Sequence, residues 1–177
     1  MKKLLSSSRV WVSVITAIAI FTSCASSRKS GSQHAYMNKQ YQELKNVLNE
    51  ADVTLIKDSL KVIFPNNVMY ASSSADLKPE IKPAFERFAN VLNKYDKTKI
   101  MITGHTDNTG NGDFNRELSE KRAAGAKQLL VDDKVDGGRI DTWGQGDRHP
   151  IATNNTEEGK AKNRRVEFVI LYNVAQQ

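Results

Sequence analysis

The sequence predicts an α/β (α+β) sandwich in which helices pack on one small sheet. Short apolar runs rich in β-branched residues lie at residues 53–56, 60–64, 99–104, 140–143 and 164–172. Between them, residues 80–95 and 115–133 carry apolar residues at helical spacing, and alternation of the two patterns calls for helices laid against a sheet. With 177 residues and 39% hydrophobic content, the chain can bury one ordinary core.

The first 23 residues stand apart as a signal peptide. Lys2, Lys3 and Arg9 form a basic head before an apolar run at residues 10–21, broken only by Ser13 and Thr16. Such a run is too short for a bilayer core of about 30 Å, which disfavours a retained anchor. It ends at "FTSC", whose Cys24 is the single cysteine of the chain, so no internal disulfide can form. Small residues before one cysteine resemble the lipobox of bacterial lipoproteins, with Phe21 in place of the usual Leu. That resemblance implies lipidation of Cys24, and two or three acyl chains hold a protein stably to a membrane. The leader contains three basic residues and no acid, leaving 23 basic against 20 acidic residues, a net of +3. This is too mild to indicate nucleic acid as a partner.

Residues 24–51 are expected to hold the lipidated cysteine, a polar flexible tether at 25–35, and a short amphipathic helix marked by Tyr41, Leu44, Val47, Leu48 and Ala51. Residues 52–177 form the domain. It opens with a hairpin, 53–56 and 60–64, turned around Asp58 and Ser59. After Pro65, Asn66 and Asn67 comes a short extended piece at 68–70. The helix from 79 or 80 to 95 buries Ile81, Phe85, Phe88, Val91 and Leu92, with Pro83 in its first turn, where a missing amide hydrogen costs least. Strand 99–104 leads through "HTDNTGNG" into the helix at 115–133, with Asn115 as its cap. Strand 140–143 follows, then a long loop at 144–163 and the last strand at 164–172. Long loops in compact domains often carry function.

Several constellations invite a chemical reading. His105, Asp107 and Ser119 contain the parts of a hydrolytic triad, but Ser119 sits within a helix with no nucleophile elbow. A zinc site drawn from His105, Asp107 and His149 lacks any pair at helical ligand spacing. Gly144 and Gly146 lack the rest of a phosphate-binding pattern. Asp107 and Arg122 differ from these. A carboxylate accepts hydrogen bonds from an ammonium, and the planar guanidinium fork matches a carboxylate, so the two suit an amino-acid head group. On spacing alone they could equally pair with each other.

The run "TD", ten residues, then "LSEKRA" (residues 106–123) resembles the signature of the OmpA-like peptidoglycan-binding domain. "ADLKP" (75–79), "RIDTWGQGDRHPIATN" (139–154) and "KNRRVEFVI" (162–170) match in the same order. The resemblance covers roughly residues 60–172. It implies a βαβαββ sandwich with a small mixed sheet that binds the peptide stem of peptidoglycan at its diaminopimelate residue, without altering it and without a cofactor or metal. Carried onto this chain, it assigns Asp107 and Arg122 to the ligand's amine and carboxylate. Thr109 and Asn115 line the ligand, and Arg164 is the second cation. Where many members have two Asp in a "FDFDSA" segment, this chain has "YASSSA", with Ala71 and Ser73 at those places.

The expected whole is a lipoprotein of the outer membrane, its domain facing the periplasm and tethering membrane to wall, with protein partners in the envelope left open. The competing readings are an enzyme acting on peptidoglycan and a stator-like motor component. The latter needs a carboxylate in its membrane helix, which residues 10–21 lack.

Overall fold

Alternating side chains on the strand Ser59–Pro65 send Leu60, Val62 and Phe64 to one face, and the same alternation on Arg165–Tyr172 sends Val166, Phe168 and Ile170 there. In the computed structural model, which describes residues 19–71 and 74–173 and side chains from residue 31 on, these faces form the floor of the core. Two compact units divide the chain, Met1–Tyr36 and Met37–Gln177.

The elements are α1 (Ala19–Val47), β1 (Asp52–Ile56), β2 (Ser59–Pro65), α2 (Asn66–Met69), α3 (Lys82–Lys94), β3 (Thr98–His105), α4 (Gly112–Asp132), β4 (Ile140–Gly146), α5 (Glu157–Asn163) and β5 (Arg165–Tyr172). One sheet runs in the order β1-β2-β5-β3-β4, antiparallel except for the parallel pair β3 and β4. The path β2-α3-β3-α4-β4-β5 is the expected βαβαββ arrangement on a small mixed sheet, with β1 added at an edge.

Helices α3 and α4 cover one sheet face. Phe85 and Phe88 of α3 meet Phe64 and Phe168 in a four-ring cluster with centroids 5.2–6.2 Å apart, mostly tilted or edge-on. Helix α4 lies close on β3 and β4 because Gly104 and Gly144 face it without side chains. A Cβ on Gly104 would stand 2.0 Å from the Ser119 carbonyl oxygen, and one on Gly144 2.7 Å from the Arg116 carbonyl oxygen.

Four local expectations change. Of the piece expected to be extended at 68–70, only Tyr70 is so: Asn66–Met69 makes one helical turn, closed by Tyr70 N donating to Asn66 O at 2.8 Å, because Pro65 ends the strand. The loop at 144–163 contains α5. Thr156 caps it by accepting from Gly159 N, while Glu157 and Glu158 stand in its first turn and Lys160 and Lys162 in its last, where each charge meets the favourable end of the helix dipole. The cap of α4 is Asn111, whose side-chain oxygen accepts from the amides of Asp113 and Phe114, so Asn115 lies inside the helix. Helix α1 begins well before Tyr41 and takes in residues 25–35, expected as a tether. That stretch contains no proline to break a helix.

The C-terminal part of α1 buries Met37, Gln40 and Leu44, and Leu48 is buried just beyond its end. Polar contacts hold it to α3: Arg87 donates from Nε to Val47 O and pairs with Glu50, and Glu43 accepts from Lys94 and Tyr95. The expected signal peptide falls largely on residues 1–18, outside the described residues, as does the side chain of Cys24. Among the described residues, no helix is long and apolar enough to cross a membrane.

Candidate functional site

The end of β3, the loop into α4, and residues 157–164 enclose a cleft of about 700 Å³. Its walls include Asn66, Tyr70, Lys78, Asp107, Arg122 and Arg164. The sheet builds this meeting point. Antiparallel pairing of β5 with β3 sets Arg165 opposite His105, so the residues just beyond the register, Arg164 and Asp107, come side by side.

Asp107 is buried and both of its oxygens are occupied. Arg164 donates from Nη1 to Oδ2 at 2.5 Å, and the backbone amide of Thr109 donates to Oδ1 at 2.8 Å. Burial raises the carboxyl's pKa, but Arg164 and Thr109 outweigh it and hold the group below its ordinary value. Asp107 is therefore an oriented anion at neutral pH.

Arg122, nearly three turns into α4, is 2% exposed. Its Nε donates to Ser74 O at 2.9 Å, and its guanidinium lies over the Tyr70 ring, 5.4 Å from the centroid. The Tyr70 hydroxyl donates to Arg122 O at 2.5 Å. Burial lowers the pKa of Arg122, with Tyr70 and Asp107 opposing and Arg164 adding to the drop. A guanidinium nevertheless stays charged at neutral pH. No ion pair joins Asp107 to Arg122 among the described residues: the carboxylate pairs with Arg164 instead. The outer nitrogens of Arg122, Nη1 and Nη2, make no hydrogen bond among the described residues.

The other expected site residues take different parts. Thr109 lines the cleft and orients Asp107 through its amide. Asn115 also lines it, but its Nδ2 donates to Thr109 O at 3.0 Å and Asp107 O at 3.4 Å, bracing the loop. Arg164 follows Asn163, whose side chain receives the amides of Ile151 and Ala152 and donates to Ala152 O. Ala71 is exposed, and Ser73 lies outside the described residues.

Sequence reasoning missed Asn66, Tyr70, Lys78 and Lys160 in the walls. Lys78 lies within the "ADLKP" match and Tyr70 opens the "YASSSA" segment, whereas no motif marked Asn66. His105 and Ser119 do not assemble with Asp107. Ser119 Oγ donates to Arg116 O and accepts from Gly146 N at 2.9 Å, while Gly146 O accepts from Thr106 N. It supports the loop from behind. His105 faces the opposite side of the sheet, against Arg165 and Glu167. Among the described residues, no group of three His, Cys, Asp or Glu is placed to hold a metal.

Four cations line the cleft, Lys78, Arg122, Lys160 and Arg164, against the two anions Asp107 and Glu157. Such a site suits a ligand with an ammonium and more than one carboxylate.

The model of the OmpA family matches residues 69–164, which spans the cleft. The chain is 41% identical over 137 residues to the Probable lipoprotein YiaD of Escherichia coli, covering 76% of this chain and 63% of that protein's length. Among solved structures, the cell wall anchor of the T6SS from Pseudomonas aeruginosa is 31% identical with a TM-score of 0.67, over 77% of this chain and 96% of that one. The peptidoglycan-associated lipoprotein from Burkholderia pseudomallei is 25% identical with a TM-score of 0.54, over 58% and 87% respectively.

Proposed function

Since the chain belongs to the OmpA family, we propose that it binds the peptide stem of peptidoglycan non-covalently at its diaminopimelate residue and tethers the outer membrane to the wall. The observation that carries this reading is an ionised, oriented Asp107 beside two fixed cations, Arg122 and Arg164, in one cleft. The ligand's ammonium goes to Asp107. Its carboxylate goes to the outer nitrogens of Arg122, with Arg164 as the second cation. Thr109 and Asn115 keep the loop in place.

Binding leaves every ligand bond intact: Asp107 is held as an ionised acceptor by Arg164 and the Thr109 amide, and Ser119 is engaged behind the loop. The signal peptide is removed before Cys24, whose acyl chains hold the protein in the outer membrane with the domain in the periplasm. A domain held near the wall rebinds faster than it escapes, so one lipid anchor and one modest site add up to firm attachment.

Incubating purified sacculi with the protein tests the reading. Co-sedimentation without released muropeptides supports a binding module, whereas released muropeptides overturn it. Cys24→Ala moves the protein from the membrane fraction to the soluble one, and a free thiol on Cys24 in the mature protein refutes lipidation.

A further inference from the structure

The charges of the cleft do not cancel, and the imbalance falls on one wall. Arg164 is paired with Asp107 at 2.5 Å and Lys160 with Glu157 at 2.9 Å. That leaves Arg122 and Lys78 with no carboxylate partner among the described residues. Each is instead tied to backbone: Arg122 Nε to Ser74 O, and Lys78 Nζ to Asn67 O at 2.5 Å.

Lys78 is held firmly in place. Its amide donates to Met69 O at 2.8 Å, and its neighbour Leu77 bridges to Tyr70, so Lys78 is set beside Tyr70 on one side of the cleft. Lys78 is half-buried, and its ammonium is separate from the Asp107–Arg164 pair. No acidic residue among the described residues of this wall lines the cleft, since Asp76 is exposed and bonded to Ser74.

A diamino-acid zwitterion uses Asp107 and Arg122 and leaves Lys78 unmatched. We infer that Lys78 is a specificity-determining residue that takes a second carboxylate, on the residue next to the diamino acid, so that the cleft prefers stem peptides whose carboxylate is free over those in which it is amidated. An ammonium has three donors and no acceptor, so it pairs with a carboxylate but gains no charge attraction from a carboxamide. This inference rests on the reading of the cleft given above and deepens it.

Calorimetric titration of the full chain with three probes tests it: meso-diaminopimelate, the dipeptide γ-D-glutamyl-meso-diaminopimelate, and the same dipeptide with the glutamyl carboxylate amidated. The free dipeptide is expected to bind about fivefold more tightly than the amidated one, the size of a partly exposed ion pair. Lys78→Arg retains the preference and Lys78→Met removes it. Equal affinity for the two dipeptides overturns the inference, as does a preference that survives in a folded Lys78→Met variant. Binding of diaminopimelate with no dipeptide preference overturns the role of Lys78 alone, while binding of none of the three overturns the diaminopimelate reading as well.

Discussion

Arg164 Nη1 donates to Asp107 Oδ2 at 2.5 Å, joining residues 57 apart in the chain and fixing a carboxylate whose other oxygen is held by the amide of Thr109. The contact leaves Arg122 without a carboxylate partner, its outer nitrogens unbonded among the described residues.

Asp107→Ala and Arg122→Ala are each expected to weaken sacculus co-sedimentation at least tenfold, since truncating one partner of a desolvated charge pair costs about 2–5 kcal/mol. Arg164→Ala weakens it too, by removing the cation that keeps Asp107 ionised and oriented. Unchanged binding in an Arg122→Ala variant with wild-type circular dichroism would sink the site assignment.

His105 gives the fold its own acid sensitivity. It is 4% exposed and its Nδ1 has no hydrogen-bond partner among the described residues. Burial, the positive charges of Arg165, His149 and Lys61, and the opposing charge of Glu167 together push its pKa down to about 4 from 6.5. The folded state therefore binds fewer protons than the unfolded chain. The contribution of a neutral His105 is whole above pH 6.5 and is lost as pH falls toward 4, by about 3 kcal/mol at most. The urea midpoint should fall across that window in the wild type and fall less in His105→Gln. Parallel pH profiles for the two proteins would refute the assignment. Asp107, whose pKa is lowered, acts in a separate window below the ordinary carboxylate value of 3.8, where its stabilisation disappears on protonation.

Gly104→Ala pushes a methyl into the Ser119 carbonyl, 2.0 Å from the ideal Cβ position. Helix α4 must retreat from β3, costing about 3 kcal/mol for overpacking against backbone. Because α4 carries Arg122, ligand binding by the folded fraction should also drop. Chemical denaturation and titration with diaminopimelate read the two effects separately, and a neutral result in both would contradict the close packing.

Gln40 is fully buried on α1 with neither amide atom bonded among the described residues. Replacing it with Met removes two unsatisfied polar atoms and keeps the shape, so stability should rise by about 1 kcal/mol. A lower denaturation midpoint for Gln40→Met would show that the amide has a partner in solution.

Much of this was legible in sequence because strand and helix periodicity is written by residues two to four apart. The faces of β2, α3 and β5 follow from Leu60, Phe85 and Phe168 and their neighbours, and the family motifs pointed to Asp107 and Arg122. Short helices were not legible. Helix α5 has few apolar positions to mark its face, and α2 exists because one backbone hydrogen bond closes a turn after Pro65. The cap of α4 went to Asn111 over Asn115, a choice made by where the loop's carbonyls lie.

The sequence by itself determined the five strands, the two long helices between them, their order, and the residue types a zwitterion needs. Only the tertiary structure decided which arginine neutralises Asp107. Spacing along one helix and loop left Arg122 as an even candidate for that pairing. The antiparallel register of β5 against β3 delivers Arg164 instead, because a sheet brings together residues whose separation along the chain holds no local signal.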